Sequence, residues 1–119
     1  MKLSKLSFLL IVFSALSFSQ DWKIEPSPVA QDEIQEALIL AEPGDTVLLS
    51  KGIYKLNHGL SLDVDNVSIK GAGMYETILD FSGQETGAQG LLITSDNVLM
   101  QDFAVENAKG DAIKSKGVK

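Results

Sequence analysis

The stretch "LSLDVDNVSIK" (60–70) returns 31 residues later as "LLITSDNVLMQ" (91–101). Superposing the two puts Leu60 on Leu91, Leu62 on Ile93, Asp65 on Asp96, Asn66 on Asn97, Val67 on Val98 and Ile69 on Met100. Apolar positions coincide along the whole segment. Each copy reads as a strand of period two, a polar turn and a second strand. A unit that recurs at about 20 to 50 residues and cannot bury its own apolar side is the mark of a protein built by stacking repeats. With strands alone, such a stack is a β-helix whose neighbouring coils lie about 4.8 Å apart. Asn66 and Asn97 fall at the corner between the two strands, where asparagine tolerates left-handed backbone angles better than other non-glycine residues. Their amides are placed to bond coil to coil.

An antiparallel sandwich with a chance repeat of Asp-Asn-Val is the competing reading, since short strands and polar turns suit it equally. Against it stand the absence of Asn-Gly and Asp-Gly hairpin signals and the alignment of apolar positions beyond the triplet.

The same strand period runs from Asp45 onward through Val47 and Leu49, Ile53, Ile78 and Phe81, Phe103 and Val105, and Ile113. Gly, Asn, Asp and Ser fill the gaps. One helix precedes the strands. Ile34, Ala37, Leu38 and Ala41 follow the i, i+3, i+4, i+7 spacing of a single apolar face, Asp32 and Gln35 resemble a capping box, and Glu42-Pro43-Gly44 stops the run. A helix over 32–42 is too short to persist unless its apolar face is covered.

Further upstream, Lys2 and Lys5 precede an uncharged, mostly apolar run from Leu6 to Phe18, and Ser17 and Ser19 stand at −3 and −1 of a cleavage point before Gln20. Residues 1–19 therefore read as a Sec-type signal peptide. An uncleaved anchor is the weaker alternative, because about 13 uncharged residues fall short of the roughly 20 that span a bilayer. With no cysteine there is no site for lipid attachment to the mature terminus, no disulfide and no thiolate metal site. Export to the periplasm or the extracellular space follows, with no membrane span after cleavage. The organisation is then 1–19 signal peptide, 20–31 an N-terminal segment punctuated by Pro26 and Pro28, and 32–119 a cap with the first coils.

The 119 residues carry a formal charge of −6, and all ten basic residues are lysine. Removing Lys2 and Lys5 leaves eight lysines against sixteen acids, a formal −8. That balance excludes nucleic acid as a partner, which calls for a clustered basic surface.

The run "IQEALILAEPGDTVLLSKGIYKL" (34–56) resembles the N-terminal entry of right-handed parallel β-helix proteins of the pectin lyase-like type, with a capping helix, Pro-Gly-Asp-Thr into the first strand and a Gly-Ile-Tyr turn. "VSIKGAGMYETILDFSG" (67–83) is similar to their next coil, and "NVLMQDFAVENAKGDAIK" (97–114) to the one after. The resemblance covers about 80 residues. It implies a right-handed parallel β-helix whose helix plugs the N-terminal mouth, with about three coils. "GDAIKSKGVK" (110–119) falls part way into a coil, so the expectation is the N-terminal portion of a longer solenoid, or a truncated product that folds poorly.

For function the resemblance implies a carbohydrate-active lyase, hydrolase or epimerase acting on acidic polysaccharide, or a carbohydrate-binding protein. Whether the parent protein is an enzyme stays open, with catalytic residues expected on later coils. A non-catalytic surface scaffold or periplasmic accessory protein is the alternative. The chain has no arginine to serve the lyases as base, no Asp-Asp pair of the galacturonan hydrolases and no Asp-Pro-His of the alginate epimerases. No catalytic, cofactor or metal residue is assigned, and the cofactor is unknown.

Individual candidates divide between chemistry and simpler roles. Asp80, Asp102 and Asp111 form a possible carboxylate column for calcium, with solvating surface acids as the preferred reading. His58 is the only histidine and reads as a turn residue. Asp63-Val64-Asp65-Asn66 begins like an EF-hand loop but Val67 and Ser68 break it. Gly71-Ala72-Gly73 lacks the third glycine and following helix of a phosphate cradle. Asn66-Val67-Ser68 has the form of a glycosylation triplet. Trp22, Tyr54 and Tyr75 are candidates for stacking on sugar rings, with ordinary packing as the simpler role.

Overall fold

The computed structural model describes residues 18–117. The signal-peptide run lies almost wholly outside the described residues. Among them, no helix is long and apolar enough to cross a membrane.

Among the described residues the single helix, α1, spans Ala30–Leu40. It begins two residues earlier than the pattern predicts, and the capping box does not form. Val29 stands at the N-cap with no side-chain cap bond, while Ser27 Oγ accepts the Val29 N–H at 3.2 Å. Asp32 and Glu33 lie in the first turn, where acidic side chains complement the helix dipole. Gln35 is drawn away to a strand, as described below. The predicted face is buried: Ile34, Ala37, Leu38 and Ala41, with Ala30 added. Burying Ile34 and Leu38 contributes about 1.5–3 kcal/mol each, which holds a helix too short to persist alone.

The rest is strand: β1 (Asp21–Ile24), β2 (Thr46–Leu49), β3 (Gly52–Lys55), β4 (Leu60–Leu62), β5 (Ser68–Lys70), β6 (Thr77–Asp80), β7 (Leu91–Ile93), β8 (Leu99–Gln101), β9 (Ala104–Glu106) and β10 (Ile113–Ser115). They form three sheets, in the orders β1-β2-β5-β8, β3-β6-β9 and β10-β7-β4. Every strand pairing is parallel, which removes the antiparallel sandwich. From β2 onward the chain visits the three sheets in fixed rotation, one strand in each, three times over.

Register follows the repeat. Leu60 pairs with Leu91, Leu62 with Ile93 and Ile69 with Met100, the matches made by superposing the two copies. Asn66 and Asn97 both turn with positive φ, 59° and 56°. The link between circuits at this corner runs through the Asn66 N–H to the Asp96 carbonyl at 3.0 Å and the Asp96 N–H to Asp65 Oδ1 at 2.8 Å. A main-chain bond and a carboxylate thus do what the asparagine amides were expected to do.

One assignment of facing is reversed. Ile53 is 55% exposed while Tyr54 is buried, and likewise Leu79 is buried while Ile78 is half-buried. The inward row of this sheet is Tyr54, Leu79, Val105. The first two circuits bury Val47, Leu49, Leu56, Leu60 and Leu62, then Val67, Ile69, Phe81, Leu91 and Ile93. In the third, Val98, Met100, Phe103, Val105 and Ala108 are only partly buried, since they pack on preceding strands from one side.

The N-terminal segment supplies an element missed in the sequence. β1 lies parallel to β2, with Trp22 opposite Val47 and Ile24 opposite Leu49. It covers the outer edge of β2, so that edge does not stand open.

Candidate functional site

Because side chains alternate along a strand, the inward row of the β3-β6-β9 sheet fixes what faces out. One outward row is Ile53, Ile78, Ala104, and the next is Lys55, Asp80, Glu106. Neighbouring strands lie about 4.8 Å apart, so each row is a ladder at that spacing. At the N-terminal rim, the turn that leads into β6 carries Met74 and Tyr75, 57% and 85% exposed. An apolar ladder and a charged ladder therefore share one outer face, and an exposed phenol ring stands in the turn that leads into its middle strand.

Asp80 is held in place there. Its Oδ1 accepts the Asn107 Nδ2 amide at 3.0 Å and the Ser82 N–H at 2.9 Å. The Asn107 bond, then the Ser82 bonds, and more weakly the charge of Lys55 bring its pKa below the usual carboxylate value. At neutral pH it is an acceptor and not a proton donor.

The turn beside β6 is fixed by glycine. A Cβ on Gly71 would collide with the Asp102 carbonyl oxygen and with the Cβ atoms of Thr77 and Phe103. The Gly71 and Gly73 N–H groups donate to the carbonyls of Gln101 at 3.0 Å and Asp102 at 2.8 Å. Those groups serve the packing of successive circuits and are not aimed at a phosphate.

The carboxylate column, the less favoured reading of Asp80, Asp102 and Asp111, does not assemble. Asp80 ends β6, Asp102 lies with φ 64° in the turn between β8 and β9, and Asp111 precedes β10, 3.9 Å from Lys114 Nζ. Among the described residues no three acidic or histidine side chains come close enough to hold a metal ion. His58 is exposed, and its N–H donates to Gln31 Oε1 at 3.2 Å. Asp63 accepts the Thr94 hydroxyl at 2.7 Å, and Asp65 serves the corner. Asn66 of the glycosylation triplet is exposed at that corner.

Two of the three aromatic candidates are occupied. Tyr54 is buried, its hydroxyl donating to the Ile24 carbonyl at 2.9 Å or that of Ser50 at 2.8 Å, and burial raises its pKa. Trp22 is half-buried, and its indole N–H donates to Asp45 Oδ2 at 3.1 Å. Tyr75 alone of the three stands in solvent.

A second face is less developed. On the outside of the β1-β2-β5-β8 sheet, Leu48 lies between Lys23 and Lys70 in register, beside a shallow groove of about 320 Å³. Sequence reasoning missed both faces because each is made by register between residues 22 to 26 apart in the chain. Comparison with protein-family models, with curated proteins and with solved structures finds no match.

Proposed function

We propose that this chain is an exported right-handed parallel β-helix, plugged at its N-terminal mouth by α1 and β1, that binds polysaccharide on the outer face of β3-β6-β9. The fixed rotation of the chain through three parallel sheets supports the β-helix, and the strong preference of parallel crossovers for the right hand supports its handedness. Export rests on the signal-peptide pattern of residues 1–19.

The observation that carries the glycan reading is the pairing of the apolar row Ile53, Ile78, Ala104 with the polar row Lys55, Asp80, Glu106, with exposed Tyr75 in the turn that enters the middle strand. A sugar ring presents an apolar face and a rim of hydroxyls, and this surface offers a counterpart to each. Residues repeating at the strand spacing suit a polymer better than a single sugar. The reading is of binding, since Asp80 is tied to Asn107 and Ser82 and stays ionised.

Retention on polysaccharide-containing native gels tests it, with Tyr75→Ala as the control. Tyr75 touches no core, so the variant keeps its fold. Loss of roughly fivefold or more in affinity is the size expected for an aromatic anchor. Equal retention of both proteins, or none of either, would leave the scaffold reading in its place.

A further inference from the structure

The charge on this face bears on which glycan it takes, and the step rests on the glycan reading above. Across the polar row one lysine, Lys55, meets two acids, Asp80 and Glu106. The rims do not reverse the balance. Along the chain Lys51, Glu76 and Asp102 stand just ahead of β3, β6 and β9, and Glu85 and Lys109 follow β6 and β9. Lys109 Nζ is moreover bonded to the Glu85 carbonyl at 2.9 Å. Asp80 is fixed as an anion by Asn107 and Ser82, so the acidic character is present at neutral pH.

A uronate polymer would set a carboxylate on every sugar against that surface, and like charges at close range repel. Sugar hydroxyls, in contrast, are donors, and the carboxylate oxygens of this row are acceptors that suit them, Asp80 being held as the anion. The apolar row adds area without charge. We infer that the ligand of this face is an uncharged polysaccharide, and not the acidic polymer that the resemblance implies. On the other face Lys23 and Lys70 flank Leu48, and neither forms an ion pair among the described residues.

The test is calorimetric titration of the signal-free protein with soluble glucan, xylan, mannan and galactan, and with polygalacturonate and alginate, at low and at physiological salt. At least one uncharged polymer should bind, with affinity little changed by salt, because no ion pair is screened. Binding should fall in Tyr75→Ala, and Glu106→Lys should bring a gain in polygalacturonate binding that salt removes. Tighter binding of polygalacturonate or alginate than of every uncharged polymer overturns the inference and leaves the glycan reading standing. No binding of any polymer overturns both. Light scattering on the same samples reads the remaining occupant: self-association lost in Tyr75→Ala would assign the face to a second copy and overturn the inference too. A thermal melt of each variant shows that the fold persists.

Discussion

The Gln35 side chain stands in for a strand opposite Ser61. Its Nε2 donates to the Ser61 carbonyl at 3.1 Å and its Oε1 accepts the Ser61 N–H at 3.0 Å. One helical turn earlier, Gln31 Oε1 accepts the N–H groups of Asn57 and His58 at 3.0 and 3.2 Å. Two amides at i and i+4 thus close the edge of β4 and the turn before it, as β1 closes β2. Without a partner these main-chain groups would form an open sheet edge. Gln35→Ala should lower stability by about 1 kcal/mol, the net worth of two exposed hydrogen bonds. Urea denaturation measures it, and hydrogen exchange at the Ser61 amide should quicken more than at Leu91, which β10 still protects.

Asp45 governs the acid limb. Burial opposes its charge, but N–H groups of Glu42, Trp22 and Gln20 outweigh burial and lower its pKa. Two of those bonds measure 2.8 and 2.9 Å. A pKa lower in the folded state than in the unfolded one gives stability that is complete above the ordinary carboxylate range and lost as pH falls through the folded value. Asp80 contributes a change of the same sign. Urea melts from pH 7 down to pH 2 should show wild type losing stability steadily. Asp45→Asn should start about 2 kcal/mol lower at neutral pH and lose less on acidification. Parallel curves for the two proteins would refute the assignment.

Asn66 and Asn97 turn with φ near +60°, where a side chain with Cβ costs about 1–2 kcal/mol unless it is Gly, Asn or Asp. Asn66→Gly should be close to neutral, and Asn66→Ala should cost about 1 kcal/mol. A double change to Ala at 66 and 97 should depart from the sum of the single changes, because the two corners are neighbours joined by the Asn66 N–H to the Asp96 carbonyl. Thermal melts of the single and double variants decide it.

Gly71 has no room for a methyl group. Its neighbours are the Asp102 carbonyl, itself bonded to the Gly73 N–H at 2.8 Å, and the Thr77 side chain, whose hydroxyl accepts the Ala72 N–H at 2.9 Å. Gly71→Ala should therefore cost about 1–3 kcal/mol as an overpacked site. A melt unchanged by the substitution would mean that the turn between β8 and β9 moves aside freely.

Much of the strand pattern was legible because period-two alternation is a local property, and the repeat carried register with it. The reversed pair Ile53 and Tyr54 shows where local reading stops. Both are apolar enough to face inward, and the choice went to Tyr54 because its hydroxyl reaches the buried carbonyls of Ile24 and Ser50. Strand β1 was missed because four residues with Trp22 and Ile24 as their only large apolar side chains give too short a pattern. The capping box failed because Gln35 had a better partner 26 residues away.

The candidate face was hidden for the same reason. Lys55, Asp80 and Glu106 carry no shared motif and become neighbours only through parallel register. The sequence by itself determined the period, the repeat and the glycine and asparagine corners, since each depends on residues near one another along the chain. Only the tertiary structure decided which side of β3, β6 and β9 faces water, which aromatic stays free and what covers the first circuit. Those outcomes depend on contacts between distant residues, where burial and hydrogen bonding compete for the same side chains.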